Sequence, residues 1–135
     1  MITSDLASIE RLLSDFAWYA DRGDGAGLAQ LFVADGILLV GERLFTGRPA
    51  IASDCETRAR EPLRKTRHVW SNLRVERNDD ASASLTAVQL TFEQRGDDAP
   101  AELRISDLRD DVCKEADGAW RFRRRVIQRQ MTLAM

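Results

Sequence analysis

Thr66-Arg67-His68-Val69-Trp70-Ser71-Asn72-Leu73-Arg74-Val75 is the stretch on which the fold reading turns, because from Thr66 onward the hydrophobic period is two. That is the period of a β-strand, whose successive side chains point to opposite faces. Three later stretches share it, which predicts four long strands at Thr66–Arg77, Ala83–Arg95, Ala101–Lys114 and Trp120–Gln130. Between them stand Asn78-Asp79-Asp80, Gly96-Asp97-Asp98 and Asp117-Gly118, all of them turn-forming chemistry. Connections this short favour antiparallel neighbours.

Upstream of Thr66 the period is helical. Leu6, Ile9, Leu12, Leu13, Phe16, Ala17 and Ala20 recur at three- and four-residue steps, which predicts an amphipathic helix with Thr3 or Ser4 as its cap. Gly23 and Gly25 end it, and Asp24 caps a short second helix carrying Leu28, Leu31 and Phe32. Ala34-Asp35-Gly36 predicts a turn, and Ile37–Val40 a hairpin with Arg43-Leu44-Phe45. Pro49 suits the first position of a third helix, which runs to about Arg60 before Glu61-Pro62 stops it. Helices first and long strands after make an α+β fold, three helices packed on one face of a curved antiparallel sheet.

With 135 residues, the chain has the size of one domain spanning 1–135. Its 44% hydrophobic and 31% charged residues exclude a disordered segment, and no apolar run approaches the roughly 20 residues of a membrane-spanning helix. A net charge of −2 provides no overall field for nucleic acid or a lipid surface. Cys55 and Cys113 have one histidine between them and form no CxxC pair, so a zinc site is not expected. Two ordinary thiols and a start without a secretory pattern point to the cytoplasm. No Gly-rich phosphate loop, nucleophile elbow or HExxH motif occurs.

The histidine is His68. Strict alternation puts Val69, Leu73 and Val75 on one face of its strand and His68, Trp70 and Asn72 on the other. An apolar surround with a few polar groups is how a pocket wall reads, although a hydrogen-bonded core histidine would read the same way. Asp21 raises the case for function. It ends the first helix, where the macrodipole disfavours a carboxylate by roughly 0.3–1 kcal/mol, so a partner is expected, and His68 can be that partner. An aspartate on one ring nitrogen fixes the tautomer and raises the basicity of the other, which makes a general base. Tyr19 can add a phenol donor. The plain alternative for Asp21 is a solvated turn residue.

The run Arg121-Phe122-Arg123-Arg124-Arg125 puts Arg121, Arg123 and Arg125 on one face and Trp120, Phe122, Arg124 and Val126 on the other. Asp107, Asp110, Asp111 and Glu115 lie near enough in sequence to pair with arginines on neighbouring strands, so a charge-laced sheet is expected and nucleic-acid binding is not. Val69, Leu73, Val75, Ile127 and Met131 would suit the surface of a homodimer or homotrimer.

Taken in order, Tyr19-Ala20-Asp21-Arg22-Gly23-Asp24, Leu31-Phe32-Val33-Ala34-Asp35-Gly36, Gly47-Arg48-Pro49-Ala50-Ile51, Arg67 to Val75 and Asp117-Gly118-Ala119-Trp120-Arg121-Phe122 carry a resemblance. Together they resemble the SnoaL-like branch of the NTF2-like superfamily over nearly the whole chain. The resemblance implies a cone-shaped α+β barrel with a deep pocket between helices and sheet. It also implies relatives of several kinds: scytalone dehydratase, a hexachlorocyclohexane dehydrochlorinase, ketosteroid isomerase, polyketide cyclases and the largely structural beta subunits of ring-hydroxylating dioxygenases. In the dehydratase and the dehydrochlorinase an aspartate ending the first helix pairs with a histidine on the first long strand, the positions of Asp21 and His68. Arg125 is similar in placement to a late-strand arginine of the family. The chain departs from the dehydratase in lacking a second histidine, and from many relatives in having Arg109 where they carry a tyrosine.

The expectation is therefore a cofactor-free lyase or isomerase acting on a small apolar ring compound. His68 would be the base, Asp21 its orienting carboxylate and Tyr19 the donor to a developing oxyanion. Trp70, Phe16, Phe32 and Phe45 would line an apolar pocket, with Asn72 and Arg125 as polar substrate contacts and no metal. The alternative is a non-catalytic subunit, like a dioxygenase beta subunit, that supports a larger oxygenase chain.

Overall fold

The computed structural model describes residues 3–135, and of Thr3 the backbone alone, so the capping expectation for Thr3 lies outside the described residues. Helix α1 spans Thr3–Arg22, which puts Ser4 inside its first turn and not before it. Ile9, Leu12, Leu13 and Phe16 form its buried stripe. Gly23 then turns the chain at φ 68, and a Cβ there would come within 2.4 Å of the Ala59 Cβ, so both conformation and space require glycine. Asp24 caps helix α2 (Gly25–Gln30), its carboxylate accepting the Gly27 N–H at 2.9 Å. Helix α3 (Arg48–Ala59) starts with proline in its first turn, as expected.

The strands are β1 (Phe32–Val40), β2 (Arg43–Thr46), β3 (Arg64–Asp79), β4 (Ser82–Arg95), β5 (Glu102–Lys114) and β6 (Trp120–Ala134). They form one curved mixed sheet in the order β2-β1-β6-β5-β4-β3. The long strands meander antiparallel, and β1 joins β6 in parallel, which merges the predicted hairpin into the main sheet. One boundary departs from expectation. Phe32 opens β1 and does not belong to α2, and the predicted turn at 34–36 lies inside that strand, where the pairing with β6 slips between Phe32 and Ile37. Phe32 is drawn out of the helix by burial: its ring packs at a tilt against Phe16 and Phe122 at centroid distances of 6.4 and 5.1 Å.

Two β-bulges correct the predicted faces. In β3 the register slips between Ser71 and Arg74, and Asn72 takes φ 58. The extra residue flips the phase. Leu73 and Val75 therefore join Trp70 against the core, while Asn72 faces solvent. In β6 a slip at Arg123–Arg124 brings Arg125 onto the inner face with Trp120 and Phe122, opposite to strict alternation. Ile127 also packs inward, so of the residues expected on an outer oligomer surface only Val69 and Met131 are exposed apolar groups.

The registers align the inner side chains in rows across the sheet. Ala83, Val112 and Phe122 form an apolar row, and the next runs through Leu85, Asp110 and Arg125. Ala87, Leu108 and Ile127 follow. Beyond them the face turns polar, with Trp70, Gln89, Ser106 and Arg129 in one row, His68, Thr91 and Arg104 in the next, and Thr66, Glu93 and Glu102 after it. The core thus fills one end of the cone and leaves a polar cleft at the other.

Candidate active site

β3 is an edge strand, and one side of its backbone has no strand partner. Helix α1 packs along it and presents Asp21 to that edge. The Asp21 carboxylate accepts three contacts there: the His68 backbone N–H at 2.9 Å, the Thr66 hydroxyl at 3.1 Å and His68 Nδ1 at 2.5 Å. The Asp21 side chain is 4% exposed and the His68 ring 13%. An aspartate with this little water gives its full electrostatic effect to its partner. An ionised carboxylate only accepts, so this contact selects the tautomer with its proton on Nδ1, and in that tautomer the lone pair is on Nε2.

The ring separates two hollows. The deeper is a cleft of about 380 Å³, within the usual range for small-ligand sites. Its wall is formed by Phe16 and Ala20 of α1, Val40 and Gly41 at the end of β1, Arg43, Arg58, His68, Gln89, Thr91, Arg104, Ser106, Ile127 and Arg129. The other is a shallow groove on the outer side, bounded by Ser14, Trp18, Asp21, Arg22 and Trp70.

Of the residues expected at the site, the structure brings Asp21, His68 and Phe16 together and leaves the rest elsewhere. Tyr19 packs against Gly27 of α2, where an added Cβ would meet its ring at 2.8 Å, and it does not line the cleft. Trp70 turns its indole N–H to the Ser14 hydroxyl at 3.0 Å and borders the outer groove. Phe32 is wholly buried in the aromatic cluster. Phe45 is half-buried beneath the Arg43 guanidinium. The bulge carries Asn72 to an outer groove shared with Arg74 and Arg109. Arg125 is 1% exposed, lies over the rings of Phe16 and Phe122 at 4.2 and 4.8 Å, and faces Asp110 at 3.3 Å. Burial pushes the Asp110 carboxyl up to about 6, against the pull of Arg125.

The cleft is consequently not the apolar hollow that the sequence predicts. Four arginines and three neutral polar side chains outnumber its apolar groups. Asp54 meets Arg58 at 3.0 Å and Arg43 at 3.4 Å. Glu93 meets Arg64, Arg95 and Arg104, and these guanidiniums outweigh its burial to hold its pKa below the usual range. Burial pulls the Arg58 guanidinium down, with Asp54 opposing. Sequence reasoning missed Thr66 and all of these polar wall residues except His68. The signal was present in β4, where the inward series Leu85, Ala87, Gln89, Thr91 turns polar halfway along. Among the described residues no three His, Cys, Asp or Glu side chains converge as metal ligands.

A family model, described as the SnoaL-like domain, matches residues 2–126. The chain belongs to the SnoaL-like family. Among solved structures, a provisionally named scytalone dehydratase of Novosphingobium aromaticivorans is similar to it, with 26% identity over 98% of this chain and 88% of the other, at a TM-score of 0.86. A provisionally named aromatic ring hydroxylase of the same organism is 18% identical over 100% and 96% of the two chains, at a TM-score of 0.86. A type 2 hexachlorocyclohexane dehydrochlorinase is 19% identical over 98% and 89%, at a TM-score of 0.83. The last two likenesses establish the shared fold. A search of curated protein sequences finds no significant match. This SnoaL-like chain therefore shares its scaffold with proteins named as dehydratase, dehydrochlorinase and hydroxylase.

Proposed function

We propose that this SnoaL-like protein is a lyase or isomerase that moves a proton on a small molecule, with His68 as general base and Asp21 as its orienting carboxylate. The observation that carries the reading is the 2.5 Å contact between His68 Nδ1 and the buried Asp21 carboxylate, in a ring that also borders the cleft. In the reaction a C–H bond of the bound molecule breaks and its proton passes to Nε2. The electron pair forms a carbon–carbon double bond. In a lyase it displaces a leaving group; in an isomerase the resulting enolate takes the proton back at another carbon. Thr66 holds Asp21 in place and acts as a positioning residue. The names of the similar dehydratase and dehydrochlorinase support elimination in particular.

The test is deuterium exchange from D2O into 1-indanone and 1-indanone-5-carboxylate, followed by proton NMR with the full chain and its His68→Gln variant. Exchange that the wild type accelerates and the variant slows by at least about 100-fold supports the base assignment. Equal exchange by the two overturns it.

A second reading, a non-catalytic subunit of a larger oxygenase, draws support from the end-to-end fold likeness to the provisionally named ring hydroxylase. Purification as a partnerless assembly that exchanges the indanones would remove it, and stable copurification with a larger iron-containing chain would establish it.

A further inference from the structure

We infer that the ligand of the cleft is a small organic anion, a carboxylate on a carbon skeleton, with its charged end on Arg104 and Arg129 and its reacting carbon at His68. The inference rests on the proton-transfer reading for its His68 end and on separate observations for its anionic end. Arg43, Arg58, Arg104 and Arg129 all line the cleft, and no carboxylate does. The acids behind the wall are shared: Asp54 serves both Arg43 and Arg58, and Glu93 serves Arg104 together with Arg64 and Arg95. Glu102 adds a second contact to Arg104 at 3.3 Å, against 3.5 Å for Glu93. Arg129 makes no ion pair among the described residues and lines the cleft from an exposed position of β6.

A second observation points the same way. Arg58, in the cleft wall, keeps a buried Nε without a hydrogen-bond partner among the described residues, which is costly unless a ligand or solvent answers it. Gln89 lines the same cleft at 3% exposure. Its N–H donors stand in the same sheet row as Arg129, next to the row of His68 and Arg104. Arg104 is separated from His68 by one strand, through Thr91. Two strand spacings amount to about 10 Å between their backbones, a span that a one- or two-ring carboxylate bridges. Guanidinium forks match the planar carboxylate and hold it in a fixed orientation. The same positive charges would lower the energy of an enolate formed at the other end.

The test is calorimetric titration of the full chain with 2-naphthoate and its neutral isostere 2-naphthamide, at low and raised salt. The imidazole signals of the single histidine report whether the ligand reaches His68. The expected result is naphthoate binding that moves those signals and weakens as salt rises. Naphthamide should bind at least about 10-fold more weakly, as befits a lost charge-assisted contact. Arg104→Gln and, at the exposed position, Arg129→Gln should each weaken naphthoate by a similar factor and leave naphthamide unchanged. Amide binding equal to the acid, absent naphthoate binding, or affinity unmoved by both variants would overturn the inference. The two readings separate in His68→Gln. Naphthoate binding that persists where the wild type itself exchanges no indanone keeps the anion site and discards the base. Exchange that is as fast on 1-indanone as on its carboxylate keeps the base and discards the anion site.

Discussion

Two pairs of side chains, Asp21 with His68 and Asp110 with Arg125, meet against the sheet, and they are built on opposite principles. Asp21 and His68 meet at the edge strand, with three contacts on the carboxylate and one flank of the ring open to the cleft. Asp110 and Arg125 meet in the middle of the sheet, sealed at 0% and 1% side-chain exposure. Both oxygens of Asp110, and Nε and Nη1 of Arg125, lack an aligned hydrogen bond among the described residues. The guanidinium is held instead by the faces of two phenyl rings. One pair has its hydrogen bonds satisfied and a way out for a proton; the other has neither. The first pair thus has the geometry that the proposed chemistry needs, and the second has the geometry of a core brace.

The largest test of this contrast is removal of the base. His68→Gln should cost at least about 100-fold in turnover, as expected for a general base, while unfolding by urea stays close to the wild type. A large loss of stability instead would make the histidine structural. Next in size, Arg125→Met should cost about 3–5 kcal/mol at pH 7 because it strands a buried carboxylate, and combining it with Asp110→Leu should recover most of that loss. If the single change is harmless, the sealed pair is not what shapes the core.

Asp110 also gives the contrast a pH signature. Its pKa rises from 3.8 to about 6 on folding, so between those values the native state holds the extra proton. Its contribution is most favourable below about pH 4 and declines as pH rises through 6, which a urea series from pH 4 to 7 would detect as falling stability in the wild type and its absence in the double variant. The smallest effect belongs to Thr66→Val. Loss of one hydrogen bond to a charged group is worth about 1.5–3 kcal/mol at most, and it should lower the exchange rate roughly 10-fold without changing ligand affinity. A matching fall in naphthoate affinity would mean that Thr66 shapes the cleft directly.

Much of the scaffold was legible in the sequence because hydrophobic period and turn chemistry act locally. The helical stripe of α1, the Asp24 cap and the four long strands all follow from neighbours within a few residues. The Asp21–His68 contact was legible by a different route, a carboxylate set against its helix dipole and a lone histidine on an inward strand position. The bulges at Asn72 and Arg123–Arg124 were not. Each depends on one residue leaving the ladder, and nothing in the strand's own alternation marks which one. The slip in β3 misplaced Leu73 and Val75, and the one in β6 misplaced Arg125. The polar wall was hidden for another reason: Arg58 comes from α3 and Arg104 from β5, and only the three-dimensional rows bring them beside His68.

The position of Asp21 also bears on how the molecule behaves among its own copies. Unclaimed amides along the rim of a sheet invite another extended chain to add itself, which is how ordered aggregates begin. By taking the His68 amide, Asp21 closes one docking point for such a stranger on the very strand that bears the proposed base. Replacing this carboxylate therefore exposes the protein to self-association as well as to loss of the proposed chemistry, and shelf life at high concentration becomes a second witness to the same contact.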